Sequence, residues 1–334
     1  MQTEVPETMR AVVVRGGKGP ASALELEQVP VPVPREGQVL IRVRAAGVNR
    51  PDLFQRMGAY PPPPGASDRL GLEVAGEIAL AATLGTGSRW QVGEKVCALV
   101  PGGGYSEYVV CDARHALPVP TGLDFEAAAG LPETMFTVYA NVFAMGGLRA
   151  GQTFMVHGAT SGIGVTAIQM ARAAGARVIA TGRGADKAQT ARALGAEIAV
   201  DVTREDFVRV ASEAGGVDVV LDMVGGDYAT RNLEALKLGG RVVYIAALAG
   251  GELRVPISAI MQKRAVITGS TLRPRSDDEK AHLAAELERV AWPWIASGQV
   301  KPLVDRVFPL AGAAAAHTYL EGGTHVGKVI LSVP

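Results

Sequence analysis

The sequence predicts an α/β protein in which a β-rich domain accompanies a doubly wound parallel sheet. Short strand patterns separated by Gly and Pro fill the first third of the chain. After about Phe125, strand and helix patterns alternate, which is typical of parallel strands joined by helical crossovers. A glycine-rich run at residues 156–164 lies between a strand pattern and an amphipathic helix pattern. The chain has 334 residues, which is long enough for two domains.

The first domain is expected to be mostly antiparallel and barrel-like. Apolar and polar residues alternate over residues 39–44, as in a strand with one buried face. Helical patterns are weak here, apart from a short one near residues 51–57. The predicted strands are residues 9–15, 39–45, 72–78, 95–100 and 105–110.

The second domain is expected to repeat a strand–helix unit. A helical region opens near Glu126 and continues over residues 134–142. The predicted strands are residues 154–156, 178–181, 198–200, 217–221 and 241–245, and the predicted helices are residues 162–174, 185–194, 204–211 and 227–236.

A closing segment follows, with a long helix predicted at residues 277–296 and strands at residues 304–308 and 328–332. The expected divisions are 1–128 for the first part of the β-rich domain, 129–268 for the parallel-sheet domain, and 269–334 for a segment that returns to the first domain. A cofactor is expected in the cleft between the two domains.

The glycines of the run are Gly158, Gly162 and Gly164, in the spacing G-x-x-x-G-x-G. Glycine lets the backbone approach a phosphate closely, and a helix start supplies unpaired N–H groups and the positive end of a dipole. Between a strand and a helix, the run indicates a dinucleotide pyrophosphate site. The alternative is a tight structural turn.

The tip of the next predicted strand bears on the identity of the dinucleotide. A site for NAD usually has Asp or Glu there, which binds the ribose 2′-hydroxyl. This chain has Gly182 followed by Arg183, with Lys187 one turn further on. Two cations without a carboxylate suit a 2′-phosphate, so the sequence favours NADPH. The alternative is that both are solvated surface charges.

Composition excludes several classes of protein. The 33 basic residues balance the 33 acidic ones, so we expect neither a nucleic acid partner nor a membrane surface. No apolar stretch reaches the roughly 18 residues that span a bilayer, and the polar N-terminus is unlike a secretory signal. Cys97 and Cys111 provide no disulfide framework, which suits the cytoplasm.

Several segments spread over nearly the whole chain carry a family resemblance. They are AGVNRPDL at 46–53, YPPPPG at 60–65, LGLEVAG at 70–76, LPET at 131–134, the glycine-rich run, TGSTLRPR at 268–275 and HVGKVIL at 325–331. With these segments the chain resembles the medium-chain dehydrogenase/reductase superfamily, in its zinc-independent quinone oxidoreductase branch and the p53-inducible subgroup. The resemblance implies a GroES-like catalytic domain, a Rossmann cofactor-binding domain and a homodimer.

The residues that differ from the zinc-dependent members are informative. By resemblance, Asn49 stands at the position of a zinc-binding Cys and Leu72 at that of a zinc-binding His, and neither suits zinc. Glu73 remains, and one carboxylate does not make a site. Cys97 and Cys111 are expected to be small buried side chains. Without a metal ion to polarise an alcohol, reduction of a quinone or enone is favoured.

The resemblance assigns Asn49, Tyr60 and Thr137 to the pocket near the nicotinamide. Tyr60 is placed to donate a proton or hydrogen bond to a developing oxyanion, and the alternative is a packed loop tyrosine beside four prolines. Ser161 is expected to contact the cofactor, to cap the helix, or to do both. His157 is expected to be a packed residue at a strand end.

Further cofactor contacts follow from the same resemblance, and Lys328 is either one of them or a surface lysine. They are Gly162 and Ile163 in the turn, Gly182, Arg183 and Lys187 at the strand tip, Met223 and Val224 beside the adenosine and its ribose, Ile245, Ala246 and Ala247 beside the nicotinamide ribose, and Thr271, Leu272 and Arg273 flanking the nicotinamide.

One position departs from the pattern of the branch, which commonly has Asn-Tyr with the Tyr near the adenosine. This chain has Asp201 and Val202 there. Val202 cannot stack or hydrogen-bond in the same way, and Asp201 adds a negative charge that opposes a preference for NADPH.

Three functions are compatible with these residues. The first is an NADPH-dependent quinone oxidoreductase that transfers a hydride, or electrons, without a metal ion. The second is an NADPH-dependent enone or alkenal reductase on the same fold, which differs in the shape of its pocket. The third is a structural or regulatory NADPH-binding protein with little turnover.

Overall fold

The structure, a computed structural model, describes residues 5–81 and 89–334. The strands in chain order are β1 (Thr8–Val14), β2 (Leu24–Pro30), β3 (Gln38–Val48), β4 (Glu73–Ala81), β5 (Lys95–Leu99), β6 (Tyr108–Asp112), β7 (Ala116–Pro118), β8 (Thr153–His157), β9 (Arg177–Gly182), β10 (Ile198–Asp201), β11 (Val217–Asp222), β12 (Leu236–Tyr244), β13 (Val266–Gly269), β14 (Val304–Pro309) and β15 (Lys328–Ser332).

The α-helices are α1 (Arg50–Arg56), α2 (Phe125–Ala128), α3 (Pro132–Val138), α4 (Gly162–Ala173), α5 (Ala185–Ala193), α6 (Phe207–Glu213), α7 (Tyr228–Ala235), α8 (Ile257–Lys263), α9 (Asp277–Ala296) and α10 (Ala313–Glu321). Helix α3 continues into a wider, π-helical segment, Tyr139–Met145. None of the helices in the described part of the chain combines the length and apolar character needed to cross a bilayer.

The elements form two compact units. The first unit comprises the described residues of Met1–Glu133 together with Arg273–Trp292 and Pro302–Pro334. The second unit comprises Thr134–Leu272 and Pro293–Lys301.

The first unit is the GroES-like β domain that the resemblance implies. Its larger sheet has the strand order β14-β15-β3-β4-β5-β7, and β6 also pairs with β3. Strand β3 runs antiparallel to both β4 and β15. Its inward-facing Ile41 and Val43 are fully buried, which matches the alternation in the sequence. A separate antiparallel pair is formed by β1 and β2.

The second unit is the Rossmann domain. Its sheet has the order β10-β9-β8-β11-β12-β13, and its strand pairs are parallel. The strand order reverses between β8 and β11, and this reversal is the place where doubly wound sheets bind dinucleotides. Met155, Ile179 and Val220 are at most 1% exposed, because helices cover a parallel sheet on both faces.

Most predicted elements are present, with shifted ends. Helix α6 begins at Phe207 instead of 204, because the Asp206 side chain accepts a hydrogen bond from the N–H of Val208 and caps the helix there. Strand β12 begins at Leu236 instead of 241. The predicted helix at residues 134–142 is divided between α3 and the π-helical segment. Strands β2, β7 and β13 and helices α8 and α10 were not predicted.

The unit boundaries differ from the expected divisions at 128/129 and 268/269. They lie after Glu133 and after Leu272. Glu133 stays with the first unit because its N–H donates to Glu73 at 2.8 Å.

The expected closing segment, residues 269–334, also does not return to the first domain as one piece. Pro293–Lys301 belongs to the second unit. In this part the N–H of Lys301 donates to Oε1 of Gln169 at 2.9 Å, and the rings of Trp294 and Phe143 lie 6.3 Å apart. These contacts are too distant in the sequence for a local pattern to reveal them.

Candidate active site

The glycine-rich turn lies between β8 and α4, at the carboxyl edge of the parallel sheet. Gly158 has a positive φ of 76°, which glycine adopts at little cost. A Cβ added at Gly164 would lie 2.3 Å from the carbonyl oxygen of Gly158. Ser161 is the N-cap of α4, and its hydroxyl accepts from the N–H of Gly164 at 3.0 Å. The N–H groups of Gly162 and Ile163, at the helix start, suit a pyrophosphate.

The tip of β9 carries the two predicted phosphate-binding cations. Arg183 is exposed directly after the strand, and Lys187 is partly exposed in the first turn of α5. A Cβ added at Gly182 would lie 3.0 Å from Cβ of Lys187, so glycine lets the helix pack closely against the strand end. Asp186 lies in the same first turn, as expected.

The end of β11 packs against the glycine-rich turn. A Cβ added at Gly158 would lie 3.0 Å from the sulfur of Met223. The carboxylate of Asp222 accepts hydrogen bonds from the N–H groups of Val224 and Gly225 at 2.5 and 3.1 Å. Met223 and Val224 therefore lie beside the turn.

The end of β12 lies next to that of β11. The N–H of Ile245 donates to the carbonyl of Asp222 at 2.9 Å. Ala246 is partly exposed and Ala247 is exposed. The structure thus places the predicted contacts of β8, β9, β11 and β12 along one sheet edge, because parallel strands all end there.

A series of buried side-chain hydrogen bonds connects the strand ends behind the turn. Nδ1 of His157 lies 2.8 Å from Oγ1 of Thr181, and its Nε2 lies 2.8 Å from Oδ1 of Asn232. The amide of Asn232 donates to Asp222 at 2.8 Å, so its oxygen accepts from Nε2–H of the ring. Burial lowers the pKa of His157, which keeps the ring neutral. The histidine is a packed strand-end residue, as expected, and it braces three strands.

Sequence reasoning missed Asn232 and the bracing role of Asp222. The available signal was a carboxylate at the end of the apolar strand β11, where a buried charge requires hydrogen-bond donors. Asn232 lies on α7 and gives no comparable local signal.

In the first unit, two predicted residues, Asn49 and Lys328, meet Glu73 at adjoining strand ends. Asn49 follows the last residue of β3, Glu73 begins β4 and Lys328 begins β15. Because β3 runs antiparallel to both neighbours, its end adjoins their beginnings. The pairing of Val329 with Val48 brings Lys328 beside Asn49.

These three side chains form a closed polar triangle. Nζ of Lys328 lies 2.6 Å from Oε1 of Glu73 and 2.6 Å from Oδ1 of Asn49. The amide nitrogen of Asn49 donates to Oε1 of Glu73 at 2.9 Å. The Glu73 and Lys328 side chains are 0% and 6% exposed. Lys328 is therefore not a surface lysine, and both ends of the Asn49 amide are occupied within the triangle.

Asp52 holds the backbone of the triangle in place. Its carboxylate accepts hydrogen bonds from the N–H of Asn49 at 2.8 Å and the N–H of Gly71 at 3.0 Å. The hydroxyl of Tyr105 donates to it at 3.1 Å. Burial raises the pKa of Asp52 to about 6. Sequence reasoning missed this residue, although an acidic side chain three positions after Asn49 is a capping-box signal.

Tyr60 lies beside Arg273 and close to acidic groups. The Arg273 guanidinium carbon is 5.7 Å from the centre of the tyrosine ring, and the guanidinium donates to the carbonyl of Pro101 and to Gln55. Burial, followed by the charge of Glu133, raises the pKa of Tyr60, so the hydroxyl keeps its proton at neutral pH. Tyr60 is half-buried.

Glu133 is a second proton-holding group of the first unit. Burial and then the neighbouring charge of Glu73 raise the pKa of Glu133 to about 8. Its own N–H donates to Glu73 at 2.8 Å, which fixes the residue beside the triangle. The resemblance segment LPET contains this glutamate, but no role was predicted for it.

The remaining predicted residues lie as follows. Arg273 is 7% exposed, and its guanidinium bonds lie within the first unit. Leu272 is buried and Thr271 is exposed at the end of the second unit. Thr137 is half-buried on α3, and its carbonyl accepts from the amide of Asn141 at 2.8 Å.

The residues at the position of the family's catalytic zinc do not fit that ion. Leu72 has no ligand atom, and the oxygens of Asn49 and Glu73 already bind the ammonium of Lys328. Among residues 5–81 and 89–334, no three His, Cys, Asp or Glu side chains are grouped to hold a metal ion. Cys97 and Cys111 are both buried.

The fold and the glycine-rich edge define a nicotinamide-dinucleotide-binding dehydrogenase. Two family models match the chain: an alcohol dehydrogenase GroES-like domain over residues 35–121 and a zinc-binding dehydrogenase over residues 194–331. The quinone oxidoreductase of Rattus norvegicus is 31% identical over 329 residues, covering 97% of each chain. That of Homo sapiens is 29% identical over 328 residues, with the same coverage.

Solved structures agree with these matches. An NAD-dependent alcohol dehydrogenase is 31% identical, with a TM-score of 0.85 over 98% of this chain and 100% of that one. A mycobacterial protein complexed with NADPH is 28% identical, with a TM-score of 0.83 over 97% and 99% of the two chains. The chain therefore belongs to the medium-chain dehydrogenase/reductase superfamily, and it is an oxidoreductase of that family.

Proposed function

We propose that this protein transfers a hydride from NADPH to a quinone without a metal ion. The observation that carries the proposal is the polar triangle, in which the Lys328 ammonium binds the oxygens of Asn49 and Glu73 at 2.6 Å. An ion pair supplied by the chain itself thus occupies the position of the family's zinc. The quinone oxidoreductases among the relatives support the choice of acceptor.

The second unit supplies the cofactor site. The amides at the start of α4 bind the pyrophosphate, and Arg183 and Lys187 bind the 2′-phosphate through charge-assisted hydrogen bonds. When bound, the dihydronicotinamide supplies the hydride. The bracing by His157 and Asp222 keeps the turn rigid, so binding requires little ordering of the backbone.

The first unit supplies the groups that act on the acceptor. Tyr60 keeps its proton at neutral pH and donates a hydrogen bond to the oxygen that gains negative charge. Lys328 holds Asn49 in one orientation. A quinone needs little acid assistance, because its ring stabilises the oxyanion that forms.

An enone or alkenal reductase is the second candidate, and Glu133 favours it. Reduction of an enone ends with protonation of carbon, which requires an acid. With its pKa raised to about 8, Glu133 is mostly protonated at neutral pH and can supply that proton.

Steady-state oxidation of NADPH with the two classes of acceptor tests the proposal. We expect kcat/KM for benzoquinone-type acceptors to exceed that for crotonyl-type acceptors by about tenfold or more, with rates insensitive to chelators. The reverse order would favour the enone reductase. Stoichiometric zinc in the purified protein would contradict the metal-free proposal. Tight NADPH binding without oxidation by either acceptor would indicate a cofactor-binding protein with little turnover.

A further inference from the structure

We infer that the carboxylate of Asp201 sets the cofactor preference of this chain, by opposing a 2′-phosphate at the tip of β9 so that NADH is accepted as well as NADPH. The inference rests on the proposed cofactor site. It concerns a position at which the chain departs from the pattern of its branch, and which the proposed mechanism leaves without a role.

The structure places Asp201 beside the backbone that carries Arg183, at the tip of β9. Asp201 is the last residue of β10 and pairs with Gly182, the last residue of β9. Its Oδ1 accepts a hydrogen bond from the N–H of Gly184 at 2.8 Å. Gly184 directly follows Arg183, so the carboxylate is fixed against the backbone next to this arginine.

The charge of Asp201 is incompletely compensated. Its Oδ1 also accepts from the hydroxyl and the N–H of Thr203 at 2.7 and 3.0 Å, and these bonds hold the pKa of Asp201 below its usual range. The residue is 5% exposed, and Oδ2 has no hydrogen-bond partner among the described residues. Nε of Arg204 is 4.0 Å from Oδ2, on a side chain that is 78% exposed. Solvent therefore screens this arginine from the carboxylate.

A second carboxylate increases the negative potential at this edge. Oε2 of Glu205 accepts from the N–H of Asp201 at 3.2 Å. Val202, at the position where the branch has Tyr, packs against the apolar core of the second unit and offers no polar group. A 2′-phosphate therefore meets attraction from Arg183 and Lys187 and repulsion from Asp201, while the exposed Glu205 and Arg204 add weaker, screened contributions of opposite sign.

A ribose 2′-hydroxyl is neutral and meets no such repulsion. NADH loses the contacts of the cations but avoids the cost of placing a phosphate near two carboxylates. Unit charges several ångströms apart at a protein surface change a binding constant by about three- to tenfold. The two effects oppose each other, so the chain is expected to bind NADPH more tightly than NADH by less than about tenfold.

The substitution Asp201→Asn separates this charge effect from the structural role of the residue. An amide oxygen accepts the same bonds from Gly184 and Thr203 as Oδ1 does. The amide nitrogen replaces Oδ2, which has no hydrogen bond to lose. The matched control is Asp186→Asn, which removes an exposed negative charge from the first turn of α5.

Fluorescence titration of the full-length protein with NADPH and NADH, at low and high salt, tests the inference. We expect Asp201→Asn to tighten NADPH binding about three- to tenfold at low salt and less at high salt. The dissociation constant for NADH should change by less than about twofold. Asp186→Asn should tighten NADPH binding less than Asp201→Asn does. Equal changes for both cofactors, or no change for NADPH, would overturn it. So would a wild-type preference for NADPH of about 100-fold.

A parallel titration of Arg183→Ala distinguishes this inference from the proposed function. If Arg183→Ala weakens NADPH but Asp201→Asn changes neither cofactor, only the inference fails. If Arg183→Ala leaves NADPH affinity unchanged, the proposed phosphate site fails, and the inference fails with it.

Discussion

At the scale of single residues, Lys328 and Glu133 have properties that follow from their surroundings. Lys328 begins β15, but its ammonium binds Glu73 of β4 and Asn49, which follows β3. Glu133 lies in the first turn of α3, where a carboxylate is normally stabilised, yet burial and Glu73 raise its pKa to about 8. The sequence identified Lys328 as a candidate but left its burial open, and it did not identify the altered acidity of Glu133.

Replacement of Lys328 by Met is expected to destabilise the protein strongly. The Glu73 side chain is 0% exposed and would become an unpaired buried charge. Removing one partner of a buried ion pair typically costs about 3–5 kcal/mol. Denaturant unfolding of Lys328→Met should therefore show a reduced free energy of unfolding.

The control is Lys301→Met, which changes an exposed lysine and is expected to alter stability by less than about 0.5 kcal/mol. The double variant Lys328→Met with Glu73→Leu should recover much of the loss, because no unpaired charge remains. Equal stability of Lys328→Met and the wild type would mean that the triangle contributes nothing.

Glu133 is expected to make stability depend on pH. Its pKa is raised in the folded protein, so the native state binds the proton more tightly than the unfolded state does. The resulting stabilisation is present below the usual pKa of a glutamate and is lost as pH rises toward 8. In Glu133→Gln this part of the pH dependence should disappear. The free energy of unfolding of the variant, relative to that of the wild type, should therefore increase by roughly a few kcal/mol between pH 5 and pH 8.

Denaturant midpoints of both proteins across this interval check the prediction. Glu126→Gln, a change in the first turn of the neighbouring helix α2, serves as the control. Parallel pH profiles for wild type and Glu133→Gln would show that the carboxyl titrates normally.

At the scale of elements, the sequence predicted the helices and strands of the second unit best. Their signals are local: apolar runs for buried strands, an amphipathic period for α4, and glycines at the turn. The missed elements α8 and α10 lack that support. Helix α8 has no buried residue, and α10 is rich in alanine, whose small side chain gives a weak apolar period.

The junction between the turn and α4 tolerates only glycine at position 164. A Cβ there would lie 2.3 Å from the carbonyl oxygen of Gly158, which is backbone and cannot move alone. Gly164→Ala should therefore displace the helix start and weaken NADPH binding about tenfold or more, with a stability loss of about 1–3 kcal/mol.

Fluorescence titration and thermal unfolding measure these two effects. Gly251→Ala is the matched control, since an added Cβ there meets nothing within 4 Å. Unchanged affinity and stability in Gly164→Ala would show that the backbone of the turn is not rigid and can shift to accept a side chain.

At the scale of the whole molecule, the second unit has an apolar edge that suits a second copy of the chain. Strand β13 ends the sheet order and so has one edge that pairs with no strand of the described residues. Nearby Leu248, Ile257 and Met261 are 55%, 75% and 72% exposed. An edge strand can pair with its own copy about a two-fold axis, which extends the sheet and covers such side chains. We therefore expect a homodimer through β13, as the family resemblance implies.

Light scattering after size exclusion tests the assembly. We expect a dimer for the wild type and a monomer for the double variant Ile257→Glu with Met261→Glu, because charges in an apolar interface are costly. Val33→Glu, at an 84% exposed site of the first unit, should remain dimeric. A monomeric wild type would contradict the prediction.

The sequence by itself determined the two-domain α/β class, the order of strands and helices around the glycine-rich turn, and the candidates for cofactor binding. It could do so because glycine conformation, helix period and strand alternation depend on neighbouring residues. Only the tertiary structure decided which side chains meet. Asn49 and Lys328 are 279 positions apart in the chain, and the register of β15 on β3 brings them together. Likewise, Asp201 lies at the tip of β9, next to the backbone that carries Arg183, because β10 pairs with β9. Contacts of this kind depend on sheet order and register, which no local pattern records.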